Sequence, residues 1–189
     1  MRQLKLPPVF QSRRGGAAVE FAFIAPILVL VFFGLIELSE GMNARQRMES
    51  VASTSADLVA QTTTMKPTAV SNVFAAANAI MYPYPTNVKI VLSSIQDDPA
   101  NSLTKGKVVW SQATANATAR TAGQLFTIGG TGANSVPTGV ITAGGSVILA
   151  EVSYSFTPVT HYVIGGSINM STRFFSRPRR SVEVVWSNS

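Results

Sequence analysis

Over residues 17–38 nearly every position is apolar, and between Phe21 and Ile36 no side chain is charged or strongly polar. At 1.5 Å per residue this run makes a helix of about 33 Å, long enough to cross the hydrocarbon core of a bilayer. It reads as a membrane-spanning helix. The pattern then changes without a break. Apolar positions recur every three or four residues at Leu38, Met42, Met48, Val51 or Ala52, and Leu58 or Val59, with Arg45, Arg47, Glu49 and Asp57 between them. Such a stripe belongs to a helix buried along one side. No proline intervenes before Pro67, so the helix is expected to continue over 39–64.

A second stripe, Val70, Val73, Phe74, Ala77, Ile80 and Met81, predicts a helix over 68–81, stopped by Pro83 and Pro85. Beyond it the period shortens to two. Residues 88–95, with Val88, Ile90 and Leu92 on one face, and residues 107–111 around Trp110 predict a hairpin with a long loop. Within that loop Asp97 and Asp98, ahead of Pro99, are expected to be solvated turn acids. Residues 112–126 are rich in Ala and Thr but show no convincing apolar face, which leaves helix and loop both open. The glycine clusters at 129–132 and 139–145 read as loops. Residues 146–157 alternate most clearly, with Ile148, Ala150, Val152, Tyr154 and Phe156 opposite Val147, Leu149, Glu151, Ser153 and Ser155, and Pro158 ends the run. Residues 168–175 and 182–186 are the remaining strand candidates. There is no internal repeat. The fold class is α+β: a long N-terminal helix, membrane-spanning in its first half, packed on a small, mainly antiparallel sheet.

Charge adds a direction. The chain of 189 residues carries 15 Lys and Arg against 9 Asp and Glu, a formal charge of +6. Arg2, Lys5, Arg13 and Arg14 all precede the first acid, Glu20; beyond them the excess falls to eleven against nine, or +2. The basic balance is therefore mostly a topogenic signal that holds the N-terminal end in the cytoplasm, and it gives no reason to expect nucleic acid as a partner. The long run and the following Ser39-Glu40-Gly41-Met42-Asn43 lack the short core and small-x-small site of a cleaved secretory signal. With no cysteine, disulfides and thiolate metal sites are excluded.

Candidate chemistry is sparse. His161 is the one histidine, the glycine clusters lack phosphate-loop spacing, and no nucleophile–base set can be assembled, so no catalytic residue, metal or cofactor is expected. Asn116-Ala117-Thr118 and Asn169-Met170-Ser171 fit a glycosylation pattern common by chance. Glu20 is different. A carboxylate at the edge of a hydrocarbon segment costs several kcal/mol unless it is partnered, protonated or held among headgroups. In the first helical turn the helix dipole would favour it. If the chain is cut after Gly15, Gly16 becomes a free cationic N-terminus with Glu20 fifth behind it, and amine and carboxylate can neutralise each other within or between subunits. Pro26 cannot donate to the carbonyl of Ala22, so a loosened or kinked start of the span is expected.

The stretch Arg13-Arg14-Gly15-Gly16-Ala17-Ala18-Val19-Glu20-Phe21-Ala22, followed by Ile24-Ala25-Pro26 and by Phe33-Gly34-Leu35-Ile36-Glu37, resembles the N-terminal signature of TadE-like proteins. These are minor pseudopilins of the tight-adherence (Tad/Flp) pilus system. Residues 151–158 and Arg177-Pro178-Arg179 also resemble that family's C-terminal region. The resemblance implies that a prepilin peptidase cuts on the cytoplasmic side after Gly15, or after Gly16 given the double glycine, and that Glu20 is the glutamate required for processing or assembly. It also implies a leader at 1–15, with Arg13 and Arg14 setting topology, a transmembrane helix at 16–38, and a periplasmic domain at 39–189 whose sheet lies within 88–187. Phe21, Phe23, Pro26 and Gly34 are then expected to pack against helices of other pilin or pseudopilin subunits. The implied setting is the bacterial inner membrane, with the pilus assembly machinery as partner. Two alternatives remain: an uncleaved, signal-anchored extracytoplasmic binding module, and, less supported by the residues, an anchored hydrolase using His161.

Overall fold

The computed structural model describes residues 15–84, 87–160 and 162–188. The leader with Arg13 and Arg14, Pro85 of the expected helix stop, and His161 lie outside the described residues. Two helices and eight strands follow in the order α1 (Gly16–Ala60), β1 (Thr64–Met65), α2 (Pro67–Met81), β2 (Lys89–Asp97), β3 (Lys105–Ala113), β4 (Leu125–Ile128), β5 (Ser135–Val136), β6 (Ser146–Phe156), β7 (Ile168–Ser176) and β8 (Val185–Trp186). A short 3₁₀ turn, Pro99–Asn101, lies between β2 and β3. The chain forms two compact units. One contains the described residues up to Gly41 together with Thr157–Gly166; the other contains Met42–Phe156 and Ser167–Ser189.

In the larger unit a six-stranded sheet runs β5-β4-β3-β2-β6-β7, antiparallel at every pairing except β4 with β5. The α+β architecture expected from the sequence is present, with the sheet mainly antiparallel. One of its faces is covered along its length and the other at one end. Ile90 and Leu92 of β2 join Ile148, Ala150, Val152, Tyr154 and Phe156 of β6 on one face, where residues 42–60 of α1 and the stripe of α2 close over them. Ala44, Met48, Val51, Ala52, Ala56, Val59 and Ala60 supply the α1 contribution. Small residues at 44, 52, 56 and 60 let the helix lie close to the strands, and each large aliphatic side chain fully buried there contributes about 1.5–3 kcal/mol. The opposite face is covered by a smaller cluster in which Ile95, Val108, Val147 and Leu149 meet Phe126, Val136 and Ile141.

The glycine-rich segments are loops, as composition indicates, yet one of them carries a core residue, Ile141, beside Phe126 of β4 and Val136 of β5. The ambiguous 112–126 stretch finishes β3, crosses as irregular chain, and enters β4. It is pinned by Arg120, whose Nε and Nη2 donate to Glu151 at 2.5 and 2.7 Å. The same guanidinium bonds the Asn134 side chain and lies 4.8 Å above the Phe126 ring. A two-toothed Arg–carboxylate pair fixes geometry better than a single contact, which accounts for an ordered crossing with no regular element.

Three expectations are corrected. Asp97 is not a solvated turn acid. It is buried, accepting from the Leu103 and Gly144 amides at 2.8 and 2.9 Å and from the Ser102 hydroxyl at 2.8 Å. These donors hold its carboxyl below the usual carboxylate range, Leu103 contributing most, then Gly144, against the upward push of burial. Gly144 takes a φ of +68°, a conformation that suits glycine and that turns its N–H towards Asp97. Asp98 alone keeps the turn role, accepting from the Asn101 side chain at 2.8 Å.

Secondly, α1 stops at Ala60 and does not run to 64. Thr62, Thr63 and Thr64 are β-branched and favour extended backbone, and the Ala60 carbonyl accepts the Arg179 amide at 2.8 Å. Thr64–Met65 instead pairs in parallel with Val185–Trp186, the only part of the expected 182–186 strand that forms a ladder among the described residues. Trp110 Nε1 donates to the Val184 carbonyl at 2.7 Å, so the late segment closes over the first core. Thirdly, Thr157–Gly166, expected within the sheet region, belongs with the first half of α1.

Candidate functional site: the apolar helix and its cap

α1 begins at Gly16, with Gly15 just before it, and both glycines are exposed. Among the described residues, a Cβ built on either would meet nothing within 4 Å. The first turn contains no acid. Glu20 opens the second turn, a correction to its expected place in the first, and the pull of the helix dipole on it is correspondingly weaker. Residues 16 and 20 are (i, i+4) neighbours, so groups attached at these positions lie on one face of the helix.

The helix is long and apolar enough to cross a membrane, and none of its most apolar window is buried by the other described residues. Phe21 and Phe23 are 65% and 76% exposed, and Ile27, Leu28, Val29, Leu30, Val31 and Phe32 are likewise more than half exposed. A continuous apolar surface of this kind is unstable in water and suited to lipid or to other apolar helices. Pro26 is exposed, and the helix continues through it, one amide donor short at that turn.

Gly34 differs from the other expected packing positions because its open side is occupied. A Cβ there would stand 3.4 Å from Val163 of the same chain. Three residues on, Glu37 is fully buried. Its Oε1 accepts from the Thr160 hydroxyl at 2.5 Å and the Tyr162 amide at 2.8 Å, while Oε2 accepts from the Val163 and Ile164 amides at 3.3 and 2.7 Å. The Tyr162 ring lies 4.8 Å from that of Phe33. One side chain thus gathers three consecutive backbone donors and a hydroxyl from a segment 123 to 127 positions away. Such a carboxylate is a structural clamp, with its oxygens fully engaged. The sequence reading leaves Glu37 without a role. The signal was a second carboxylate at the far lip of the apolar run, but nothing in the pattern identifies its partner.

Among the described residues no group of three or more His, Asp or Glu side chains could hold a metal ion. The outer face of the sheet carries an open groove of about 850 Å³ bordered by Lys89, Arg120, Glu151 and Arg173. Arg120 and Glu151 are paired to each other across it, and Arg173 is bonded to the Gly132 and Ala133 carbonyls, so these three charges are engaged structurally.

Comparison with known families bears out the resemblance over the N-terminal part: residues 15–57 match the family model described as TadE-like protein. The matched segment begins at the glycine pair and ends within the core-facing half of α1. The match is consistent with a TadE-like protein of the Tad pilus system. No curated protein matches the chain, and no solved structure does.

Proposed function

Taking the TadE-like match over residues 15–57 as the premise, we propose that the chain is a membrane-anchored minor pseudopilin acting in assembly of a Tad/Flp-type adhesive pilus. The observation that carries this reading is the coincidence of the matched segment with an exposed apolar helix starting immediately behind an accessible glycine pair. In this reading residues 1–15 are a cytoplasmic leader, Arg13 and Arg14 hold that end inside, and the domain beyond residue 38 faces the periplasm of the inner membrane. A prepilin peptidase cuts after Gly15. The new α-amine then sits on the first helical residue, one turn from Glu20, where the poorly hydrated surroundings strengthen their attraction. A cut after Gly16 places the amine on Ala17, still within a turn of Glu20.

Neutralising Glu20 in this way, within one subunit or between neighbours, lets the start of the helix enter an assembly of apolar helices. Phe21, Phe23 and Pro26 present the surface for that packing, and Gly34 lets chain approach the helix closely. The machinery and the other pilin subunits are the partners. The test is intact mass of protein from native membranes containing the matching peptidase. A mature chain starting at Gly16, abolished by Gly15→Leu without loss of membrane insertion, is expected, as is impaired piliation in Glu20→Ala with unchanged targeting. An uncut chain retaining Met1, or normal piliation in Glu20→Ala, would overturn the role of this site and favour an uncleaved, anchored binding module.

A further inference from the structure

The described residues of Thr157–Gly166 form irregular chain, yet they present large apolar side chains outward: Val159 is 81% exposed and Tyr162 70%. It rests on α1 at Phe33, Gly34 and Glu37, and on the other sides of the same turns Phe32, Leu35 and Leu38 are exposed. Outward apolar side chains of the loop thus stand level with the last turns of the apolar helix, whose other sides are exposed too. Its depth follows from the helix rise. Counted from Ala17, Gly34 lies about 25 Å along the axis and Glu37 about 30 Å, so the clamp falls at the far boundary of a hydrocarbon core about 30 Å thick. The loop tip sits about one helical turn inside that boundary.

Irregular backbone enters the edge of a bilayer only where its polar groups are satisfied from within. Here Glu37 takes up the three successive amides of Tyr162, Val163 and Ile164, the part of the loop that lies deepest against the helix. Tyrosine is also a residue that favours the membrane–water boundary, ring towards the chains and hydroxyl towards water. From this combination we infer that Thr157–Gly166 is a second membrane contact: a lipid-inserted foot, latched by Glu37, that seats in the outer-leaflet interface beside the spanning helix. The inference rests on the reading of residues 16–38 as a bilayer span. It assigns Glu37 the task of satisfying the foot's backbone, and it names lipid as the occupant because the exposed Val159 and Tyr162 belong to a loop held, by the helix rise, at the depth of the bilayer edge.

The test uses the full chain, whose natural lack of cysteine allows unique labels. Tyr162→Cys, Val159→Cys and, in mid-span, Val29→Cys are each labelled with a fluorophore. The proteins are reconstituted in phosphatidylethanolamine–phosphatidylglycerol vesicles carrying nitroxide lipids, with the spin label near the headgroup or at mid-chain. Labels at 162 and 159 are expected to be quenched several-fold more by the shallow nitroxide than by the deep one, and the label at 29 the reverse. Adding Glu37→Ala should release the foot, abolishing lipid quenching at 162 while leaving 29 unchanged. Labels at 162 and 159 quenched only from water, with 29 quenched at mid-chain, overturn the foot and leave the span intact. So does shielding that arises only when other pilus subunits are added. Loss of mid-chain quenching at 29 overturns the span and the foot together. Retained lipid quenching at 162 in the Glu37→Ala background overturns the latch.

Discussion

The two halves of α1 are continuous in backbone and opposite in what they ask of their surroundings. In residues 16–36 apolar side chains point in all directions and most are exposed, so no face is distinguished. In residues 42–60 the buried positions are confined to a stripe, Ala44, Met48, Val51, Ala52, Ser55, Ala56, Val59 and Ala60, while Arg45 and Glu49 pair on the outside at 3.1 Å. The first half is specified by total hydrophobicity and length, the second by spacing. A change that respects one rule can break the other.

The largest expected effect separates them outright. Val51→Asp places a carboxylate with no partner in the core and should destabilise the domain by about 3–5 kcal/mol, unfolding it by the near-ultraviolet signal of its tryptophans. Its membrane partitioning should not change. Leu28→Arg should do the converse, weakening insertion by about 2.5–3.5 kcal/mol while the melting of the domain in detergent stays as in the wild type. If both substitutions move both readouts, the halves are not independent.

Methionine offers a finer comparison because it occurs in both settings. Met48 is fully buried and Met42, less than two turns earlier, is 57% exposed. Met48→Ala should cost about 2–4 kcal/mol in denaturant unfolding, and Met42→Ala within about 0.5 kcal/mol of nothing. Equal losses would mean that the stripe begins earlier than the burial pattern indicates.

A smaller effect sharpens the contrast between the clamped loops of the sheet and the helix. Asp97→Asn disturbs the acceptor for Leu103, Gly144 and Ser102 and should cost about 1–3 kcal/mol at neutral pH. The folded carboxyl is held below its unfolded value. Its stabilisation is therefore fully present above an unfolded Asp value of about 4 and is lost as the pH falls through the lower folded value. The gap between wild type and variant in urea melts should narrow below about pH 4 and stay constant above it. A gap that does not narrow in acid would remove Asp97 as the titrating group.

Much of this organisation was legible in the chain itself, for identifiable reasons. The apolar run, the stripe of α2, the alternation of β6 and the β2–β3 hairpin all rest on local periodicity, and each is present within a few residues of its expected place; the stripe of α1 holds from Met48 onward, while Leu38 and Met42, expected in it, are exposed. What stayed hidden depends on distant partners. Asp97 looked like a turn acid because its neighbours are turn residues; the Gly144 amide that helps to bury it is 47 positions on. Arg120 gave order to a stretch with no pattern because Glu151 lies opposite. Glu37 stood in plain view at the end of the family signature, but Thr160 and the three amides that surround it belong to a loop with no motif. The glycine pair and Glu20, by contrast, are read entirely from sequence, and their chemistry awaits the peptidase experiment.

The parallel pairing of Thr64–Met65 with Val185–Trp186 sets an order in time. α1 and β1 are made early, yet the strand that completes β1, and the Val184 carbonyl that Trp110 requires, come some 120 residues later in the numbering of the pair. Contacts so far apart in sequence form slowly, because the loop between them must close first. During synthesis the edge of β1 and the Trp110 indole must therefore wait, unpartnered by the late segment, until residues 184–186 arrive. A nascent chain stalled short of that point is the species most in need of a chaperone.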